Sequence, residues 1–106
     1  MYIYAWRTPA LGGKVGTFHA ADLIFVFDNA SICMNYSGGT PAALALSSRM
    51  GEAWASMARS AKPGNSGLPE WPAHNETTRA TMVFDVPCAV RSNPEGEGLR
   101  LIKQSA

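Results

Sequence analysis

The chain has 106 residues, one domain's worth, of which 46% are hydrophobic and only 16% charged, light on charge for a small domain that must cover its whole surface with polar groups. Nine basic and eight acidic residues are scattered singly for a net charge of +1, which leaves no electrostatic stripe for a nucleic-acid backbone or an anionic membrane. No apolar run approaches the roughly 20 residues of a membrane span, and MYIYAWRTPA lacks the basic start and apolar stretch of a signal peptide, so the expectation is a soluble chain, cytoplasmic rather than secreted, with no nucleic-acid and no membrane partner.

In chain order, residues 2–6, YIYAW, are aromatic and β-branched and are cut off by Arg7-Thr8-Pro9, which predicts a strand ending in a loop. The loop runs through Leu11-Gly12-Gly13-Lys14-Val15-Gly16 to His19, and its glycines permit a tight backbone path that other residues would resist. The apolar run Leu23–Phe27 fits a buried strand by propensity, but Asp22 could cap a short helix instead. Periodicity does not decide between the two over so short a run.

Gly38-Gly39 breaks the chain, and Thr40 as N-cap with Pro41 at the first helical position opens the clearest helix, running to about Ser60. Leu46, Met50, Trp54 and Met57 fall at spacings of four, four and three and so share one face, read as core; Ser48, Arg49, Glu52, Ser56 and Arg59 lie mostly on the other. Gly51 inside this helix costs about 1 kcal/mol relative to alanine, which points to a close packing contact.

Residues 62–76, KPGNSGLPEWPAHNE, carry three prolines and two glycines and read as an irregular connection held by Trp71. Thr78–Phe84 alternate weakly, Asp85-Val86-Pro87 turns the chain, and Cys88–Arg91 returns, which predicts a hairpin. Pro94 ends it, and Leu99–Lys103 can form a short terminal helix. Cys33 and Cys88 have no CxxC neighbour and read as buried free thiols. No His, Cys and carboxylate cluster has metal-ligand spacing, and no cofactor is expected.

By composition alone His19 is a polar loop residue. The ordered match of several segments changes its reading: the strand YIYAW, the loop GTFHAADLIFVFDN, the helix ALALSSRMGEAWASMARSAKPGN, the connection GLPEWPAHNETTRATMVFD and the closing hairpin. With the GxxHxxDLxFVF pattern from Gly16 to Phe27 and the spacing from the AWxxxAR helix to LPxWP, the chain resembles the C-terminal portion of type B carboxylesterases, α/β-hydrolases that include the cholinesterases. The resemblance covers essentially all of residues 1–106. It implies an α/β fold class: a C-terminal fragment of an α/β-hydrolase with one strand, a catalytic-histidine loop, one long helix and a C-terminal β-hairpin.

In that family the histidine of this motif is the catalytic base, and the matching position is His19. The resemblance implies that His19 takes the proton of a serine nucleophile and later protonates the leaving alcohol. Ala20 stands where many relatives have glycine. Asp22 occupies an acidic position of the motif and is expected to hold the loop through hydrogen bonds, the orienting carboxylate lying elsewhere.

In α/β-hydrolases the triad follows the order serine, acid, histidine, so the serine and its carboxylate belong N-terminal to everything present, and no G-x-S-x-G elbow occurs in the chain. The chain reads as about the last fifth of such an enzyme, catalytically silent when isolated and meeting an ester substrate only in the complete enzyme. Asn35-Tyr36-Ser37-Gly38-Gly39 imitates the elbow, but Asn35 replaces the first glycine and Thr40-Pro41 start the helix too late, so Ser37 reads as an ordinary loop serine. His74 reads as exposed and structural, and Glu70 and Asp85 as solvated or loop-fixing. The alternative is a non-enzymatic small domain that self-associates, a homo-oligomer of the fragment joined through unpaired edges of strands such as YIYAW.

Overall fold

The longest element follows its sequence signals to the residue. In the computed structural model, which describes residues Met1–Ala106, helix α3 spans Pro41–Ser60, and the Thr40 side chain accepts a hydrogen bond from the Ala43 amide as its N-cap. That bond satisfies one of the helix's orphan donors, while Pro41 at the first turn forfeits an amide that had no partner to lose. The other elements are β1 (Tyr2–Tyr4), α1 (Ala21–Val26), α2 (Met34–Ser37), β2 (Ala80–Phe84), β3 (Ala89–Ser92) and α4 (Gly96–Ser105). Residues 62–76 contain no helix or strand, in line with their prolines and glycines.

The three strands form one sheet in the order β1-β2-β3. The expected hairpin is present, with Met82 opposite Val90 and Val83 opposite Ala89. The lone strand and the hairpin are not separate, however: β1 pairs in parallel with β2, placing Tyr2 beside Met82 and Tyr4 beside Phe84. Every residue of β2 is buried, as expected for a strand flanked on both sides.

Strand alternation sends Met82 and Phe84 to one face of the sheet, where they join Trp6, Phe25, Ala30, Ala43, Leu46, Met50 and Ala53 in a single core cluster. Helix α3 thus supplies the core from its first four turns through Ala43, Leu46, Met50 and Ala53. The predicted stripe holds for Leu46 and Met50; Trp54 is half-buried and Met57 is exposed. The apolar face runs out at the C-terminal turn because no buried element lies against it there, only one wall of an open cleft. Aromatic rings knit the layers together: Phe25 lies 5.1 Å from Trp6 and 5.4 Å from Tyr4, and Phe84 lies 5.7 Å from Trp71.

Of residues 23–27, open in sequence between strand and helix, Leu23–Val26 belong to α1 and Phe27 is its C-cap; α1 packs against α3. The close contact predicted at Gly51 is present: a Cβ there would lie 3.1 Å from Asp28 Cβ, just beyond the end of α1. Asp22 does not cap α1; Ala20 occupies the N-cap position in a left-handed conformation and offers no side-chain bond. The thiols are free but half-buried rather than buried, Cys88 donating to Asp85 O at 3.3 Å. Helix α4 is amphipathic in sequence but lies exposed, with Leu101 and Ile102 open to solvent. No helix is long and apolar enough to cross a membrane.

Phe84 is fully buried and touches the aromatic rings of both the sheet and the irregular connection. Phe84→Ala is predicted to cost about 3–5 kcal/mol, from lost transfer energy and the cavity left behind. Thr40→Ala, which removes only a cap, is predicted to cost about 1 kcal/mol. Urea unfolding followed by tryptophan fluorescence checks both values and their order.

Candidate active site

His19 sits at the tip of a tight turn between the end of β1 and the start of α1. The loop that carries it is tied down along its length. The Thr8 amide donates to Gly16 O at 3.2 Å, and the Thr17 hydroxyl donates to Trp6 O at 2.8 Å, with Ala5 O at 3.2 Å. After the histidine, the Ala21 amide donates back to Phe18 O at 3.1 Å and the Leu23 amide to Ala20 O at 3.2 Å. Phe18 packs near Tyr36, ring centroids 6.1 Å apart. These bonds anchor the stretch before His19 to the residues that follow β1 and close the turn after it, while the histidine itself is exposed and its ring takes part in none of them.

Ala20 follows with φ +62°, a left-handed conformation that disfavours any residue with a Cβ and suits glycine. The turn holds Ala20 in a geometry that a glycine would adopt without strain.

Asp22 is the carboxylate closest to His19 in sequence, and it is engaged elsewhere: the Tyr2 hydroxyl donates to its Oδ2 at 3.0 Å. The expectation that Asp22 holds local structure is met in a different way from a cap, since it fastens α1 to β1. Nothing in the sequence spacing signals this partner, because Tyr2 and Asp22 are twenty residues apart. Burial, the bond to Asp22 and its negative charge together push the Tyr2 phenol above its ordinary value of 10.0. Tyr4, more deeply packed, is pushed up further, by burial first and then by the charges of Asp22 and Asp85.

Ser37 is not an ordinary loop serine. It is fully buried at the end of α2, donating to Ala30 O at 2.7 Å and accepting from the Gly39 amide at 3.1 Å. The chain turns away immediately at Gly38, whose φ is +77° and where a Cβ would collide with Pro9 at 2.7 Å. Ser37 is therefore a structural staple across 30–39, its oxygen occupied and inaccessible. His74 is exposed, as expected, and its Nδ1 donates to Ala80 O at 3.0 Å. Asp85 fixes its own turn, accepting from the Val86 amide at 2.8 Å. No three His, Cys, Asp or Glu residues lie together as a metal site.

The chain is 30% identical over 99 residues to the para-nitrobenzyl esterase of Bacillus subtilis, covering 92% of this chain and 20% of that protein. It is homologous to the type B carboxylesterases. No protein-family model matches it. Among solved structures it superposes on an esterase of Clostridium hathewayi, described as able to hydrolyze aliphatic aromatic polyesters, with a TM-score of 0.82 at 28% identity over 99% of this chain and 21% of that one. The carboxylesterase of Geobacillus stearothermophilus matches with a TM-score of 0.75 at 35% identity over 92% of this chain and 20% of its own. The fold is thus that of part of an α/β-hydrolase esterase, and the chain spans about a fifth of the length of these relatives.

Two outcomes follow from the geometry. Ser37→Ala strands the Ala30 carbonyl and the Gly39 amide and is predicted to cost about 1–3 kcal/mol, read as a lower urea midpoint. For the tyrosines, the folded state holds the phenolic protons above the pH at which an unfolded tyrosine releases its own. Their contribution is complete below pH 10.0, the ordinary value, and is lost as pH rises past it. Alkaline titration of stability should show this fall, and Tyr4→Phe should flatten it.

Proposed function

We propose that this chain is the C-terminal part of a serine carboxylesterase and that His19 is its catalytic base. The observation that carries the reading is the state of His19: an exposed imidazole with both ring nitrogens unengaged, on a loop bonded before it to the residues that follow β1 and closed after it by turn bonds from Ala21 and Leu23. A base in ester hydrolysis needs both nitrogens. One removes the serine proton and the other donates to an orienting carboxylate. As the serine oxygen bonds to the ester carbonyl carbon, its proton passes to His19; as the tetrahedral intermediate collapses, that proton goes to the departing alcohol and an acyl-enzyme is left. Water repeats the sequence, giving the carboxylic acid and returning the proton to serine.

The serine and the carboxylate come from the rest of the enzyme in this reading, since Ser37 is buried and Asp22 is bound to Tyr2. The unpaired edge of β1 supports it. The Ala5 amide donates to Phe84 O and the Met82 amide to Met1 O, so odd-numbered residues of β1 face β2, and the amides and carbonyls of Tyr2 and Tyr4 point outward without a partner. A further strand from the enzyme's body would satisfy them. The same edge also favours a second reading, in which two copies pair there as a homodimer; sedimentation of the isolated chain as a monomer would remove it.

The direct test replaces the matched fifth of the Bacillus subtilis para-nitrobenzyl esterase with this chain. The chimera should hydrolyse p-nitrophenyl acetate, and His19→Gln within it should lower kcat by about a thousandfold or more with KM little changed. The isolated chain should be silent. Turnover in the chimera that is indifferent to His19→Gln would refute the assignment.

A further inference from the structure

One concavity of the molecule belongs to neither His19 nor its loop. It is a cleft of about 740 Å³ between the C-terminal half of α3 and the irregular segment 62–74, a volume within the roughly 300–1,000 Å³ typical of small-molecule sites. Its walls carry the rings of Tyr2, Trp54 and Trp71 with Met57 and Leu68. Tyr2 and Trp54 meet edge to face at 4.9 Å, and Trp54 and Trp71 both rest on Phe84, at 6.0 and 5.7 Å. Two of the chain's three tryptophans are therefore held half-exposed around one opening.

The outer wall is fixed although it has no secondary structure. The Ser56 hydroxyl donates to Lys62 O at 2.7 Å, Asn65 Nδ2 donates to Arg49 O at 3.3 Å, and Asn65 Oδ1 accepts from the Gly67 amide at 2.9 Å. Pro63, Pro69 and Pro72 stiffen the same wall and remove three backbone donors from it. Three polar side chains lining the cleft are engaged within the chain: Asn65 on the wall itself, His74 Nδ1 on Ala80 O and the Tyr2 hydroxyl on Asp22. The two charges left, Lys62 and Glu70, are opposite in sign and make no ion pair within the chain, whose single salt bridge joins Arg59 to Glu52.

We propose that this cleft is a binding site for an uncharged aromatic molecule, seated between the indoles of Trp54 and Trp71. Aromatic walls favour stacking and edge contacts with such a ring system, the occupied polar groups offer little to a hydrogen-bonding ligand, and the balanced rim gives no preference to either charge. The site is independent of the ester-hydrolysis reading and would stand without it.

The test uses a matched pair of probes on the chain itself: neutral N-phenyl-1-naphthylamine, and 8-anilinonaphthalene-1-sulfonate, which adds a negative charge to the same skeleton. The neutral probe should bind saturably, one per chain, with enhanced emission. Trp71→Ala should weaken it about tenfold, and so should Met57→Glu, which puts a charge on an exposed helix position of the wall and spares the core should Trp71→Ala fail to keep a native near-ultraviolet dichroism. Phe27→Ser, on an exposed apolar position outside the cleft, should leave affinity unchanged. The proposal is overturned by an absence of saturable binding, by unchanged affinity in a natively folded cleft variant, by an equal loss in Phe27→Ser, or by equal or tighter binding of the sulfonate.

Discussion

The parallel pairing of Tyr2–Tyr4 with Met82–Phe84 joins residues 80 apart in sequence, and the rest of the structure hangs on it. Closing so long a loop carries an entropic cost that grows only slowly with length, and the buried face of β2 offsets it. Met82 and Phe84 form the floor onto which α1 and α3 settle, with Phe25, Leu46 and Met50 as the principal contacts. Without β1 beside it, β2 would keep only its hairpin partner, and a two-stranded hairpin is marginal at best in water. With β1 in place, the chain leaves the sheet at Ala5 and Trp6, whose carbonyls are the anchor for Thr17 and hence for the turn that carries His19.

Tyr2 is the residue through which sheet and site communicate. Its backbone belongs to β1, its ring packs on Trp54 and Phe84, and its hydroxyl holds Asp22 at the start of α1. Asp22 is thereby removed from any part in orienting His19 and committed to fixing the helix that follows it. Ser37 shows the same division of labour: a serine in a superficially catalytic setting is consumed in joining Ala30 to Gly39. His19 alone among these polar side chains is left without a hydrogen bond, on an anchored loop.

Local signals were readable where one or two residues decide the backbone. Thr40-Pro41 set the start of α3 because a cap and a proline act at a single helix end, and Gly51 announced its contact with Asp28 because a helix interior otherwise disfavours glycine. The hairpin from Ala80 to Ser92 was likewise local. Residues 23–27 are undecidable alone, since a five-residue apolar run fits both periods; packing of α1 against α3 resolves 23–26 as helix. The pairing of β1 with β2, the Tyr2–Asp22 bond and the burial of Ser37 link residues that no window along the chain brings together. Position 19 stands out by motif resemblance, not by composition, and the structure adds its free ring and its anchored loop.

In this chain β1 is an edge strand, satisfied on one side by β2 and open on the other. Hydrogen–deuterium exchange resolved to single amides measures it directly on the isolated chain. The Ala5 amide, bonded to Phe84 O at 2.9 Å, should be protected, while the neighbouring Tyr4 amide should exchange at nearly the rate of an unstructured chain. Protection of Tyr4 equal to that of Ala5 in a monomeric sample would mean that the edge is already paired, and the account would be wrong.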